Sequence, residues 1–148
     1  MKNPVMIAVV FLIVFLGVAM KVAFNMGTQS ELWASGEVFI ERSLEQAGRD
    51  SKVLFITVFD MDKPFPPYGA YRKSLSNAAR GKFHEFFLTK ETLTVMQPGL
   101  DFPKNARIKA RLDYDGNAGM DQPGDIVGVV ENVKIGQKGL KIVLDQKL

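Results

Sequence analysis

The sequence contains no cysteine and only one histidine among its 148 residues. The missing thiols exclude cysteine nucleophiles, Cys-ligated zinc, iron–sulfur clusters, disulfides and the cysteine-dependent attachment of c-type haem. A single histidine, His84, is too few for a His-rich metal site and argues against a histidine-based catalytic triad. Glycine (13) and proline (7) are near their average frequencies, which excludes collagen and low-complexity chains.

Motifs of common catalytic machinery are also missing. The chain has no G-x-S-x-G elbow, no S-x-x-K and no P-loop. We therefore predict a non-enzymatic protein that uses no cofactor. Lys and Arg total 19 against 16 Asp and Glu, but Lys2 and Lys21 flank an apolar run, which leaves 17 against 16 elsewhere. This balance does not favour a nucleic-acid partner, which needs a concentrated basic face.

An apolar run near the N-terminus predicts a membrane anchor. Sixteen apolar residues extend from Val5 to Met20, and apolar residues continue after Lys21 as far as Met26. About 20 residues suffice to cross a bilayer, with the lysine side chain reaching the interface. We assign residues 1–26 to a transmembrane helix that anchors the chain in the lipid bilayer. Representative lipid-facing positions are Val5, Phe11, Phe15 and Met20.

A cleaved signal peptide is the competing interpretation of this run. The run exceeds the usual 7–15 residues of a signal h-region. No A-x-A site follows it, since Lys21-Val22-Ala23 places a lysine at a small-residue position. A short tail with a free amine favours a cytoplasmic N-terminus. We therefore expect a single-pass protein of the bacterial inner membrane, with its C-terminal domain in the periplasm.

Residues 27–35 form a polar linker, and residues 36–148 indicate one β domain. Trp33 is open to two interpretations, an anchor at the membrane interface or packing beneath the first strand. Seven short strands separated by turn residues predict an immunoglobulin-like β-sandwich. The predicted strands are Glu37–Glu41, Lys52–Phe59, Gly69–Ser74, Lys82–Thr89, Asn105–Asp113, Asp125–Val133 and Leu140–Asp145. Lys52–Phe59 is apolar on both faces and therefore predicts a central strand, which Thr57 weakens on one side.

The Asn105–Asp113 segment predicts a basic strand face. Ala106, Ile108, Ala110 and Leu112 alternate with Arg107, Lys109 and Arg111. Alternation directs the three cations outward, with Arg72 or Lys73 adjoining them. The face is either a solvated surface or a docking stripe for an acidic partner or anionic headgroups. In both cases we expect charge reversal of the three cations to leave folding nearly intact.

The segment after this strand predicts a polar hairpin rather than a cation site. Gly116, Pro123, Gly124 and Asp125 are turn residues. Asp113, Asp115, Asn117 and Asp121 resemble a calcium loop. However, the positions that need glycine and a bidentate glutamate hold Ala118 and Gly124. His84, Met61 and Met96 are interpreted as packing or surface residues rather than ligands.

Several segments together resemble one known family. Leu54-Phe55-Ile56 leads to Phe59-Asp60, and a proline-led segment follows as Pro67-Tyr68-Gly69-Ala70-Tyr71-Arg72-Lys73. Phe87-Leu88 leads to Met96 and Pro98. Ala110-Arg111 precedes Gly116-Asn117-Ala118 and Pro123-Gly124-Asp125-Ile126-Val127-Gly128. In order and spacing these pieces are similar to the C-terminal immunoglobulin-like periplasmic domain of the cytochrome c maturation factor CcmI, also called CycH or present in fused CcmH.

The resemblance implies a role in handling apocytochrome, with one departure. Full-length members of that family carry further membrane spans and a tetratricopeptide array that grips the apocytochrome, whereas this sequence passes from one span to the β domain. We therefore expect an accessory interaction protein whose partner is apocytochrome or a membrane protein complex. The alternative is a small structural subunit that caps a respiratory or photosynthetic complex on its periplasmic side.

Overall fold

The structure is a computed structural model, and it describes residues 30–148. The predicted anchor, with Val5, Phe11, Phe15 and Met20, and the first three linker residues, 27–29, lie outside the described residues. Within residues 30–148 no helix has the length and apolar character needed to cross a bilayer.

The described residues form nine strands and a short 3-10 helix, Arg42–Leu44. Seven strands have six or more residues, as predicted, and two have only two. The strands are β1 Ala34–Ile40, β2 Val53–Asp60, β3 Gly69–Ser74, β4 Lys82–Leu88, β5 Thr94–Val95, β6 Ala106–Asp113, β7 Ile126–Val133, β8 Gln137–Leu144 and β9 Gln146–Lys147. β1 and β8 each begin three residues earlier than predicted, because they extend through polar and glycine positions that give no apolar alternation.

Two sheets pack face to face, which confirms a mainly β protein of the sandwich type. The smaller sheet has the order β4-β1-β8, and the larger has the order β5-β3-β2-β6-β7-β9. β1 pairs antiparallel with β4 and parallel with β8. Apolar side chains from the inner faces of both sheets form one core, and Leu54, Ile56 and Phe86 are among its largest members.

β2 is the central strand that the sequence predicts. It pairs with β3 on one side and with β6 on the other. Leu54, Ile56 and Val58 are fully buried on the inner face, while Thr57 on the outer face is half-buried. Phe55 also points outward but is only 7% exposed, because arginine side chains from both neighbouring strands cover its ring.

The two sheets approach each other closely where β7 meets β8. A Cβ atom built on Gly128 would lie 2.0 Å from the carbonyl oxygen of Val143. Only glycine allows this contact without a shift of one sheet. The Asp145 amide also donates to the Val127 carbonyl at 3.2 Å, so this side of the sandwich is closed by backbone contacts.

Trp33 belongs to the domain core, which decides between its two interpretations. Its side chain is buried and lies with Tyr68 and Phe102, with ring centroids 5.3 to 5.8 Å apart. The indole therefore packs within the β domain rather than standing free as an interface anchor.

Candidate functional site

The basic strand face has the predicted alternation but not the predicted exposure. Ala106, Ile108, Ala110 and Leu112 are fully buried, and the three cations lie on the opposite face of β6. The exposed fraction of their side chains falls along the strand, from 47% at Arg107 to 17% at Lys109 and 7% at Arg111. The prediction of three solvent-facing cations is therefore wrong for Arg111, because residues 114–125 fold over the end of the strand.

Arg111 is held by contacts from within this chain. Its Nη2 lies 3.0 Å from Asp113 Oδ2, and its Nη1 donates to the Gly119 carbonyl at 2.8 Å. Asp121 and Asp125 lie 3.6 and 3.7 Å from the same guanidinium. The Phe55 ring packs against its face at 5.1 Å. A guanidinium with so many donors can tie a strand and a loop together at several points.

The predicted turn residues complete this arrangement. Asp125 is buried, and its carboxylate accepts backbone N–H bonds from Tyr114 at 3.0 Å and Gln122 at 2.9 Å. Gly116 and Gly124 have φ of 80° and 102°, and Pro123 precedes the second of these turns. These residues shape the loop that covers Arg111.

The remaining charges of the stripe are also paired. Lys109 binds Asp121, and Arg107 lies 3.8 Å from Glu131. Asp115 accepts the backbone N–H of Asn117 at 2.9 Å. Across residues 30–148, no three His, Asp or Glu side chains converge as a set of metal ligands. The loop that resembles a calcium site thus uses its carboxylates for internal hydrogen bonds and ion pairs.

Arg72 and Lys73 lie on opposite faces of β3. Arg72 is opposite Phe55 and packs against its ring at 6.0 Å, so it adjoins the stripe as predicted. Lys73 is opposite the inward-facing Leu54 and lies near His84. The sequence could not decide between these two positions because the face of each side chain depends on how β3 pairs with β2.

Lys73 belongs to a groove between β3 and β4, which we call the basic groove. It encloses about 310 Å³. Three of its residues are cationic and several carry hydroxyl or amide groups, whereas none of its described lining residues is Asp or Glu. It is lined by Lys73, Ser74, Leu75, Ser76, Asn77, Ala78, Arg80, Lys82, Phe83 and His84.

The cations of the basic groove differ in availability. Lys82 Nζ binds Glu37 at 2.8 Å and Glu85 at 3.0 Å, and these hydrogen bonds raise the pKa of Lys82 to about 12. Lys73 and Arg80 are exposed and form no salt bridge with any residue in the 30–148 range. They are the two cations that can meet a ligand without first breaking an ion pair.

His84 forms part of the wall of the basic groove. Its Nε2 lies 3.0 Å from the Tyr71 hydroxyl, and the two rings stack at 5.7 Å. Burial, and then the nearby Lys73 charge, lower the pKa of His84 below 6.5. The imidazole is therefore neutral at pH 7, and the groove's positive charge comes from its lysines and Arg80.

Both strands beside the basic groove are sheet edges. β4 is the terminal strand of the smaller sheet. β5 pairs with β3 only at Gly69 and Ala70, so residues 71–74 have no strand partner on that side among the described residues. Edge strands present unpaired backbone N–H and C=O groups to a partner segment. The groove thus combines hydrogen-bonding edges with two available cations.

Most residues of the basic groove were not predicted from the sequence. Lys73 was a candidate, but Arg80, His84 and Ser76 are recognised only once β3 and β4 are brought together. The one available signal is the cluster of Lys73, Arg80 and Lys82 within ten residues.

Fold and groove together define a β-sandwich domain with one open, basic edge. No family model, curated protein or solved structure matches the chain.

Proposed function

We propose that this chain is a non-enzymatic interaction protein, anchored in the bacterial inner membrane, that binds a protein partner at the basic groove on the periplasmic side. The observation that carries the proposal is the coincidence of two open strand edges with Lys73 and Arg80, which have no internal ion pair in the described structure. An extended segment with acidic side chains suits this surface. The open strand edges can form hydrogen bonds with the backbone of the segment, and the two cations can bind its carboxylates.

We further propose that the β domain is an immunoglobulin-like accessory domain of the CcmI type. The segments that resemble that family fall on β2, β3, β4, β6, β7 and the turns beside them. They are mainly scaffold positions, and they support a shared fold more strongly than a shared partner. Apocytochrome, or another subunit of the maturation machinery, is the partner that the resemblance favours.

Charge reversal in the groove tests the proposal. The full tagged chain is purified from membranes in mild detergent as wild type and as Lys73→Glu/Arg80→Glu. We expect the double variant to bind its partner about tenfold more weakly at low salt, since it turns attraction into repulsion. The melting temperatures of the two proteins should agree, because both side chains are exposed.

Arg72→Glu/Arg107→Glu is the matched control. It also reverses two exposed cations, here both arginines, but on the outer face of the larger sheet. It should retain the partner. Loss of the partner in this variant alone would indicate that the docking site lies on the outer face of the larger sheet. Stoichiometric recovery of one large respiratory complex with all variants would favour the structural-subunit alternative.

A further inference from the structure

Half of the exposed large apolar side chains lie at one end of the sandwich. Within residues 30–148 ten such side chains are exposed, and five belong to the connections β2–β3, β5–β6 and β7–β8. We call these three connections the loop end. The five residues are Met61, Phe65, Met96, Leu100 and Ile135, and Phe65 is 84% exposed.

Direct contacts bring these connections together around Trp33. The Gly136 amide donates to the Trp33 carbonyl at 2.7 Å, which places the β7–β8 turn beside the indole. Tyr68 packs on the indole, and its hydroxyl donates to the Leu100 carbonyl at 3.2 Å. The Met96 amide donates to the Tyr68 carbonyl at 2.8 Å. Loops from both sheets therefore meet where the chain enters the domain.

A second set of bonds ties the outer parts of the loop end. The Met61 amide donates to the Asn105 carbonyl at 3.1 Å, and Lys134 Nζ donates to Asn105 Oδ1 at 3.0 Å. Gln97 Nε2 donates to the Pro66 carbonyl at 2.6 Å. The exposed apolar side chains thus stand on a cross-linked platform rather than on independent loops.

We propose that the loop end rests on the lipid bilayer, with Phe65, Leu100 and Ile135 inserted among the headgroups. Exposed apolar patches of this kind mark interaction surfaces. The occupant follows from the chain, since only six residues lie between Met26, where the apolar run ends, and Trp33. The seven Cα–Cα steps from Met26 to Trp33 span at most about 25 Å. The proposal therefore rests on the membrane anchor in the proposed function, and it adds an orientation of the domain.

The charged residues of the loop end do not favour anionic lipid over neutral lipid. Asp62 and Lys63 are neighbours in one connection, and Asp101 and Lys104 are close in another. Because both signs are present, insertion is driven by apolar contact, and neutral phosphatidylcholine suffices. Anionic lipid and salt have little effect on this contact.

Single labelled cysteines test the proposal cleanly because the chain has none of its own. The full chain carries an NBD probe at Phe65→Cys, Leu100→Cys or Ile135→Cys in phosphatidylcholine nanodiscs. Doxyl-labelled phosphatidylcholine should quench most of the fluorescence at all three sites. Met120→Cys is the matched control, because Met120 is also 84% exposed. It lies in the β6–β7 connection, outside the loop end, where its neighbours Gly119 and Asp121 contact Arg111 and Lys109 on the outer face of β6, and it should stay bright.

The outcomes separate the two proposals. Failure of the full chain to remain in nanodiscs would contradict the anchor. Retention in nanodiscs without quenching at any of the three positions would overturn the bilayer contact alone. A blue shift without doxyl quenching would also overturn it, because a protein surface would then cover the loop end. Equal quenching at Met120 would show that the domain has no preferred orientation.

Discussion

At the scale of single residues, Arg111 gives a specific prediction about stability. Its removal leaves Asp113 and Asp125, which are 2% and 1% exposed, without their common cation. We expect Arg111→Met to lower the free energy of unfolding by about 3–5 kcal/mol, because breaking a buried pair leaves uncompensated charge. Chemical denaturation measures this. The exposed Arg107→Met is the control and should cost less than about 1 kcal/mol. Equal small costs would contradict a structural role for Arg111.

Phe55 gives a second prediction from the same face. Its ring is buried between Arg72 and Arg111 on the outer side of the central strand. Phe55→Ala should lower the free energy of unfolding by about 3–5 kcal/mol through lost burial and the resulting cavity. A cost below about 1 kcal/mol would mean that the outer face of β2 contributes little to the core.

His84 predicts how stability depends on pH. Its pKa is lowered in the folded state, so the unfolded chain binds a proton more readily. The free energy of unfolding should be constant above about pH 6.5 with respect to this group and should fall as the pH drops below that value. Proton NMR of the only histidine checks it by locating the folded-state midpoint below 6.5.

Two variants separate the causes of that shift. Lys73→Gln should raise the midpoint part of the way, since it removes the neighbouring charge but leaves the ring buried. Tyr71→Phe removes the hydroxyl partner and keeps burial, so the midpoint should remain lowered. A wild-type midpoint at or above 6.5 would mean that the ring is solvated.

At the scale of strands, Gly128 sets the distance between β7 and β8. Gly128→Ala would place a Cβ atom against a backbone carbonyl, which cannot move without the sheet. We expect it to lower the free energy of unfolding by at least about 1–3 kcal/mol through overpacking. Gly119→Ala is the control, because a Cβ there meets no atom within 4 Å. A neutral Gly128→Ala would show that the sheets can separate freely at this point.

Strand positions could be predicted from the sequence because alternation is local. β6 illustrates both the success and its limit. Its four inward residues were predicted correctly, whereas the burial of Arg111 depends on a loop that folds back over the strand. The parallel pairing of β1 with β8 joins residues about one hundred positions apart, and no local pattern encodes it.

The basic groove shows the same limit at the level of elements. Lys73 and His84 lie in strands of different sheets, and only the packing of those sheets places them side by side. The sequence indicated a non-enzymatic protein that uses charged strand surfaces. It favoured the β6 stripe because that stripe has the densest run of cations. Internal pairing of that run shifts the proposed contact to β3 and β4.

At the scale of the whole molecule, the described domain has two distinct surfaces. The loop end gathers apolar side chains around the entry of the chain, and the basic groove lies along the open side between the sheets. A domain placed with its loop end on a bilayer would hold the groove at its far end, because the groove is lined by the end of β3, the β3–β4 connection and the start of β4. A partner segment that extends away from the membrane would then reach the groove without reorienting the domain.

Site-specific photocrosslinking in cells is the sharpest test of partner docking at the basic groove. A benzophenone amino acid replaces Ser76 in the basic groove or Val129 on the outer face, both of which are exposed. We expect one discrete crosslinked partner from Ser76 that disappears when Lys73→Glu/Arg80→Glu is added, and none from Val129. Crosslinking from Val129 but not from Ser76, or a Ser76 adduct that survives the charge reversal, would contradict it.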